Sequence, residues 1–230
     1  MVVEDEAPLA SLVGSYLERD GFDVTITADG HDAVALARRV DPDVVVLDLG
    51  LPGLDGVEVC RQLRTFSDTY VVMLTARADE VDTLIGLSVG ADDYMTKPFS
   101  PRVLMARIQA MLRRPRTTTT RPAGTGTASR TRVFGDLTID VDGREVTVAG
   151  TPVALTRTEF DVLAALARDA GVVLTRARLV DAVWGPNWIG DEHLVDVHIG
   201  HLRRKLGDEA GRGRYVRTVR GVGYRMGSGT

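Results

Sequence analysis

Short runs of aliphatic and β-branched residues alternate with amphipathic stretches through the first 112 residues. Wholly apolar runs at 44–47 and 71–74 are typical of strands buried on both faces of a parallel sheet. Five units of strand and helix predict a doubly wound α/β sheet of five parallel strands. The predicted strands lie near 1–4, 22–26, 43–48, 70–74 and 93–96, and the predicted helices near 7–19, 30–39, 55–64, 79–89 and 100–113.

The hydrophobic pattern changes in the second half of the chain. The stretch RRPRTTTTRPAGTGTASRTR has no periodicity and no aliphatic side chain larger than Ala, so residues 114–132 are predicted to be a flexible linker. Strands, three helices and a terminal hairpin then predict an α+β winged-helix domain. Its predicted strands are 133–134, 137–140 and 145–148, its helices 156–168, 176–184 and 192–206, and its hairpin 215–219 with 223–226.

Charge separates the same two halves of the chain. The formal net charge of −4 divides into −10 through Leu112 and +6 from Arg113 onward. Eight Lys and Arg residues fall between 201 and 225, against two acidic ones. A localised basic patch of this kind indicates nucleic-acid binding. We therefore predict two domains, at 1–113 and 133–230, with different partners.

Composition excludes several classes of protein. No apolar run approaches the roughly 18 residues of a membrane-spanning helix, and no basic segment followed by an apolar one marks a signal peptide. Cys60 is the only cysteine, which excludes an internal disulfide framework and a multi-cysteine metal site. These features predict a protein of the reducing cytoplasm that has no membrane partner.

Five polar residues lie at or just past the ends of predicted strands: Glu4, Asp5, Asp48, Thr75 and Lys97. The carboxyl ends of parallel strands meet at one edge of a sheet, where ligands bind. Carboxylates without histidine or thiol suit Mg²⁺, and a lysine with a hydroxyl suits phosphoryl oxygens. The pattern predicts in-line phosphoryl transfer onto a carboxylate.

Residues 2–112 resemble a response regulator receiver domain, which has a flavodoxin-like sheet. The resemblance is carried by VVEDE, DVVVLDLGLPGLDG, VMLTA and ADDYMTKPF. It implies that Asp48 accepts a phosphoryl group and that Mg²⁺ is the cofactor. The metal ligands that it implies are Glu4, Asp5, Asp48 and the backbone carbonyl of Gly50.

The same resemblance assigns roles around the phosphoryl group. Thr75 and Lys97 would contact its oxygens, and the peptide bond between Lys97 and Pro98 would be cis. Tyr94 would be an aromatic switch that moves inward when Thr75 is drawn to the phosphate, although a packing role is the alternative. Two further acidic residues are interpreted as surface charges rather than metal ligands: Asp92 and Asp93. Receivers usually carry several residues before this first strand, so we expect the true start of the protein upstream of Met1.

The stretch EHLVDVHIGHLRRKLG predicts an amphipathic helix with an apolar stripe at Val195, Ile199, Leu202 and Leu206. At 100° per residue, the opposite face carries His193, Val197, Gly200, His201 and Arg204, with Arg203 on its flank. A helix with a packed back and a cationic front can enter the major groove of DNA.

Residues 133–226 resemble the effector domain of OmpR/PhoB-type response regulators. The matching stretches are LTRTEFDVLAAL, LTRARLVDAVWG, LVDVHIGHLRRKLG and YVRTVRGVGYR. The base contacts that the resemblance implies are Val197, His201 and Arg204. The implied contacts with the DNA backbone are Trp184, His198, Arg203 and Thr218, and Arg220 would reach into the minor groove.

Some of these positions remain open to another interpretation. Trp184 and Trp188 are alternatively core and loop packing residues. Gly200 and His201 replace the larger basic residues of many relatives. We therefore expect fewer phosphate contacts and a DNA affinity that depends mildly on pH, since histidine titrates near neutrality.

The resemblance also implies a homodimer on phosphorylation, formed through the regions 79–89, 93–96 and 100–113. Thr83 and Val103 replace residues that form ion pairs in relatives, whereas Asp93 and Arg107 remain as interface residues. We expect a more apolar, weaker or differently arranged dimer. The implied partners are double-stranded promoter DNA, a sensor histidine kinase and RNA polymerase.

Two other functions fit parts of the pattern. A phosphatase-like enzyme with an aspartyl-phosphate intermediate normally has a second Asp two residues after the nucleophile, where this chain has Gly50. A phosphorylation-independent DNA-binding protein would use its receiver only for dimerisation. Such proteins typically lose part of the acidic pocket, which is complete in this sequence.

Overall fold

The computed structural model describes residues 1–76, 89–112, 130–186, 188–208 and 213–230. The chain divides into two compact units, Met1–Arg113 and Arg114–Thr230. The helix predicted at 79–89, which includes Thr83, lies almost wholly outside the described residues, as does most of the predicted linker. Within the described ranges, no helix combines the length and hydrophobicity needed to cross a membrane.

The first unit is a parallel sheet of five strands in the order β2-β1-β3-β4-β5, with helices around it. This confirms the predicted doubly wound, flavodoxin-like receiver fold. Every residue of β3 and β4 is buried, as the apolar runs predicted. The strands are β1 Val2–Val3, β2 Ile26–Thr27, β3 Val44–Asp48, β4 Tyr70–Thr75 and β5 Asp93–Thr96; the described helices are α1 Ala7–Arg19, α2 Gly30–Val40, α3 Gly56–Leu63 and α4 Pro101–Leu112.

The start of α3 lies directly behind the end of β3. The Asp55 side chain caps the helix by accepting a hydrogen bond from the Glu58 N–H at 2.8 Å. A Cβ atom at Gly56 would lie only 2.2 Å from the Asp48 carbonyl oxygen, so only glycine fits there. The loop that follows Asp48 is thereby held tight against the sheet edge.

The second strand was predicted at the wrong place. The structure has β2 at Ile26–Thr27 instead of 22–26. β1 is only two residues long, and its Val2 and Val3 pair with Ile26 and Thr27. Because a strand needs a partner along its length, β1 limits how far β2 can extend.

The interpretation of two acidic residues as surface charges is also wrong. Asp92 and Asp93 are both buried. An arginine from a neighbouring helical region reaches each of them: Arg64 lies 2.6 Å from Asp92, and Arg107 lies 2.9 Å from Asp93. A buried carboxylate needs such a partner, since an unpaired charge is costly to bury.

The described residues of the second unit form two antiparallel sheets and three helices, which confirms the predicted winged-helix plan. The sheet orders are β6-β7-β8-β9 and β10-β12-β11. The strands are β6 Thr131–Phe134, β7 Leu137–Asp140, β8 Glu145–Val148, β9 Thr151–Pro152, β10 Leu174–Thr175, β11 Val216–Val219 and β12 Gly223–Met226; the helices are α5 Arg157–Arg168, α6 Arg176–Val183 and α7 Leu194–Leu206.

Two details of this unit differ from the sequence prediction, and a third agrees with it. The short strands β9 and β10 were not predicted, because two residues carry no recognisable alternation. β6 includes Thr131 and Arg132, which the prediction assigned to the linker. The apolar stripe predicted on α7 is correct, since Val195, Ile199, Leu202 and Leu206 are all buried.

Candidate functional site

The carboxyl edge of the parallel sheet brings together residues from distant parts of the chain. Carboxylate oxygens of Glu4, Asp5 and Asp48 all lie within 4.8 Å of one another. Lys97 Nζ lies 2.8 Å from Glu4 Oε2 and 3.1 Å from Asp48 Oδ2. Gly50 and Thr75 line the same open pocket, which has a volume of about 520 Å³. The structure thus places every predicted pocket residue at one edge.

Burial and pairing set the charges in this pocket. Burial raises the pKa of Glu4, against the lowering effect of its hydrogen bond with Lys97. Burial would lower the pKa of Lys97, but hydrogen bonds to Glu4 and Asp48 raise it above the usual value. Lys97 is therefore a fixed cation that lies between two buried carboxylates.

The donor set at this edge fits a hard divalent cation. Three carboxylates converge there, and neither histidine nor thiol is among the described residues that line the pocket. Mg²⁺ prefers oxygen ligands and is usually bound through one or two carboxylates together with water and phosphate oxygens. Asp5 is exposed, whereas Glu4 and Asp48 are buried, so the pocket is open to solvent on the side of Asp5.

The switch candidates Thr75 and Tyr94 lie on adjacent strands. In the β4–β5 register, Tyr94 pairs with Met73 and Thr96 pairs with Thr75. Since side chains two residues apart share a face, Thr75 and Tyr94 project from the same side of the sheet. The Lys97–Pro98 peptide bond is cis, as expected.

The predicted interface residue Arg107 is engaged within its own chain. Its guanidinium donates hydrogen bonds to Asp93 Oδ1 at 2.9 Å and to the Tyr94 carbonyl at 2.7 Å. Any contact of Arg107 or Asp93 with a second subunit would therefore compete with, or add to, this internal pair.

Several predicted DNA-contact residues lie on the surface of the second unit. Arg204, Thr218 and Arg220 are exposed, and Val197 is half-buried. Arg203 is half-buried and donates to Thr218 Oγ1 at 2.8 Å and to the Val216 carbonyl at 2.8 Å. These contacts tie α7 to β11, the first strand of the terminal hairpin.

Three other predicted contact residues are in the interior, and the prediction is corrected for them. His201 is only 6% exposed, His198 1% and Trp184 2%. The imidazole of His198 packs against the indole of Trp184 with ring centroids 5.7 Å apart, and that indole packs against Trp188 at 5.6 Å. Of the two interpretations of Trp184, a core packing residue therefore fits the structure better than a contact with the DNA backbone.

The outward position expected for His201 is wrong because a carboxylate from α5 draws it inward. His201 Nδ1 lies 3.5 Å from Glu159 Oε1, and Lys205 Nζ lies 2.6 Å from Glu159 Oε2. Glu159 also completes a capping box with Thr156 at the start of α5. The spacing Thr-x-x-Glu could have indicated the capping box from sequence, but not the contacts with α7.

A second polar cluster that the sequence analysis missed surrounds Asp196 on α7. Its Oδ1 accepts hydrogen bonds from the Tyr224 hydroxyl at 2.7 Å and from Arg176 Nε at 2.8 Å. His193 Nδ1 lies 3.1 Å from its other oxygen. The cluster joins α6, α7 and β12. Local sequence patterns do not predict that these three elements contact one another.

Comparison with known protein families gives two matches. Residues 1–109 match the response regulator receiver domain. Residues 150–226 match the C-terminal domain of transcriptional regulatory proteins.

Two relatives match along nearly their whole length. The sensory transduction protein RegX3 of Mycolicibacterium smegmatis is 43% identical over 226 residues, which cover 98% of this chain and 97% of the relative. The transcriptional regulatory protein CseB of Streptomyces coelicolor is 44% identical over 230 residues, with 98% and 96% covered.

Two solved structures match nearly the whole length of this chain. A mutant of RitR superposes with a TM-score of 0.74 at 28% identity and covers 99% of this chain and 98% of its own. Response regulator DrrB, an OmpR/PhoB homologue of Thermotoga maritima, superposes with a TM-score of 0.51 at 34% identity, with 98% and 97% covered.

Proposed function

The chain belongs to the OmpR/PhoB-type response regulators, and we propose that it accepts a phosphoryl group from a sensor histidine kinase on Asp48. The observation that carries the proposal is the meeting of Lys97 with Glu4 and Asp48 at one sheet edge. A carboxylate oxygen of Asp48 would attack phosphorus while the bond to the kinase nitrogen breaks. Lys97 and Thr75 would then donate to the phosphoryl oxygens.

Mg²⁺ is the cofactor that we propose for this site. Glu4, Asp5, Asp48 and the backbone carbonyl of Gly50 would hold it. When bound, the ion neutralises negative charge on the phosphoryl oxygens. The role of Lys97 is to provide a second, permanent positive charge beside Asp48.

Phosphorylation of Asp48 would change the surface of the receiver around Tyr94, and Thr75 would transmit the change. A hydrogen bond from Thr75 to the phosphoryl group would vacate space on the sheet face that it shares with Tyr94, whose ring could then move inward. We propose that the receiver then forms a homodimer, which links two DNA-binding units and raises their avidity.

The second unit is the DNA-binding part of this response regulator. We propose that α7, the recognition helix, enters the major groove with Val197 and Arg204 directed towards bases. Arg203 and Thr218 would contact the DNA backbone, and Arg220 in the hairpin turn would reach into the minor groove. His198, His201 and Trp184 are not part of this proposal, because they are buried.

The proposed setting is the cytoplasm, where the kinase domain, promoter DNA and RNA polymerase are accessible. We do not assign general substrate turnover to the receiver, because Gly50 offers no acid or base two residues after Asp48. A Cβ atom at Gly50 would meet only Asp48 oxygens, the nearer at 3.6 Å.

Incubation with acetyl phosphate and Mg²⁺, followed by intact-mass measurement, tests the proposal. The wild-type chain should gain one phosphate, and Asp48→Asn should gain none. Asp43→Asn, which alters an acidic residue just before the other end of β3, is the matched control and should behave as wild type.

The rival function, a DNA-binding protein indifferent to phosphorylation, is tested in the same samples. We expect acetyl phosphate to increase the DNA affinity of the wild type and to leave that of Asp48→Asn unchanged. Equal affinities with and without a verified phosphate on the wild type would favour the rival.

A further inference from the structure

His193 is an exposed histidine at the start of the recognition helix. Its side chain is 78% exposed. Helical spacing places it in one row with Val197, Gly200 and Arg204, opposite the buried stripe of α7. Of these, Gly200 and Arg204 are exposed and Val197 is half-buried. His193 therefore lies at the first turn of the face proposed to meet DNA.

Asp196 holds the His193 ring at Nδ1 and is itself hydrogen-bonded to two other elements. Asp196 Oδ2 lies 3.1 Å from His193 Nδ1, while Oδ1 accepts hydrogen bonds from Tyr224 and Arg176. The His193 backbone N–H also donates to Asp191 Oδ1 at 2.9 Å. With Nδ1 held by a carboxylate, Nε2 is the ring nitrogen left to meet an external acceptor.

We propose that protonated His193 donates from Nε2 to a phosphate oxygen of the DNA backbone, with Asp196 as the positioning residue that orients its ring. The inference rests on the proposed DNA-binding function and adds His193 as a phosphate contact, a role that the sequence pattern did not assign to it. An imidazolium has two N–H donors, so it can bind Asp196 and the phosphate together.

The charges around His193 support its cationic form. Among the described residues, the groups that act on it are Asp196 on α7, Asp191 in the preceding loop and Arg176 on α6. The hydrogen bond to Asp196 contributes most and raises the pKa of His193, and the negative charges of Asp191 and Asp196 add to this, against the small effect of Arg176. Tyr224, on β12, stays neutral near pH 7 because burial raises its pKa to about 12.

The inference replaces the expectation that His201 makes DNA binding depend on pH. The His201 ring is buried beside Glu159 and is not accessible to a phosphate in this conformation, whereas the His193 ring is exposed. As pH rises through the pKa of His193, the recognition helix loses one positive charge, so DNA affinity should fall.

The test uses the full-length protein and a duplex that the wild type selects from a random pool. We expect wild-type affinity to fall about tenfold between roughly pH 6 and pH 8 at constant ionic strength. The slope of log Kd against log salt should become shallower by about 0.9 over the same change, because one phosphate contact is lost. In the free protein, NMR titration of the His193 ring should give a midpoint above that of a model histidine.

Three variants separate this inference from a general effect of histidine titration. His193→Gln should bind weakly at both pH values, with no change of salt slope, whereas His193→Arg should bind tightly at both. His201→Gln should keep the wild-type pH dependence.

Two results would overturn the inference in different ways. If His193→Gln retained the wild-type pH dependence and salt slope, His193 would not contact phosphate, and the proposed DNA-binding function would stand. If the wild type selected no duplex at any pH, the proposed function would fail together with the inference.

Discussion

A single buried carboxylate, Glu159 on α5, joins two helices of the DNA-binding unit, α5 and α7. It accepts hydrogen bonds from the Thr156 backbone N–H at 2.8 Å and from Lys205 Nζ at 2.6 Å, and it lies beside His201. Burial alone would raise the pKa of Glu159. Hydrogen bonds from His201, Lys205 and the Thr156 backbone, with the charge of Lys205, outweigh burial and lower the pKa to about 2. The recognition helix is thereby fixed to α5 by an ionised group.

Glu159→Gln should destabilise the DNA-binding unit by about 3 kcal/mol at neutral pH, the free-energy equivalent of the lowered pKa. Because the pKa is lowered on folding, this contribution is complete above the unfolded value of 4.5 and is lost as pH falls towards about 2. Urea unfolding at several pH values measures it. The variant should show a smaller loss of stability between about pH 5 and pH 2 than the wild type.

The control for this prediction is Glu145→Gln, which alters an exposed carboxylate on β8. Its effect should stay within about 0.5 kcal/mol, as is usual for surface substitutions. An acid-unfolding profile that is the same for Glu159→Gln and the wild type would contradict the role given to Glu159.

At the scale of elements, the terminal hairpin depends on close backbone packing against β10. β12 lies between β10 and β11, and Gly223 pairs with Thr175. A Cβ atom at Gly223 would lie 2.1 Å from the Leu174 carbonyl oxygen. The hairpin that carries Arg220 can therefore join this sheet only with glycine at position 223.

Gly223→Ala should lower the free energy of unfolding by about 3 kcal/mol, because β12 must move away from β10. DNA affinity should fall as well, since Arg220 moves with the hairpin. Gly221→Ala is the matched control: Gly221 has φ +73° and open space around it. That change should cost only about 1 kcal/mol, the strain of a left-handed alanine. Equal unfolding midpoints for the two variants would refute the packing argument.

At the scale of the whole molecule, charge and chemistry divide between the two units. The acidic first unit holds the pocket that contains Asp48 and Lys97, and the second unit carries the basic stretch 201–225. We propose that dimerisation of the first unit couples phosphorylation to DNA binding by the second. At two positions where relatives form ion pairs across the dimer interface, this chain has Thr83 and Val103. Thr83 lies outside the described residues, and Val103 is half-buried on α4.

The dimer should therefore form weakly and resist salt. We expect beryllofluoride with Mg²⁺ to shift the sedimentation of the wild type towards a dimer, and Asp48→Asn to remain monomeric. High salt should change the dissociation constant little, because exposed ion pairs contribute only about 0–1 kcal/mol each and apolar contacts are not screened. A tight dimer that salt dissociates would contradict this prediction.

Local patterns were enough to predict most elements, because the hydrophobic periodicity of a helix or strand is visible in consecutive residues. The helix at Ala7–Arg19 has the predicted bounds, and β3 and β4 follow from their apolar runs. The failures are of another kind. β2 is set by the length of its partner β1, and the buried carboxylates Asp92 and Asp93 are set by arginines 28 and 14 residues away.

The sequence by itself determined the fold classes of the two units. It also identified the polar residues that meet at the carboxyl edge of the parallel sheet, because the ends of parallel strands must lie at one edge. Only the tertiary structure decided which side chains of α7 are exposed. Helical spacing predicted that the His201 side chain is exposed to solvent, but it is buried against Glu159 of α5. A contact between distant elements overrides a local pattern because an ionised buried carboxylate must have partners, and that requirement is not visible from spacing along one helix.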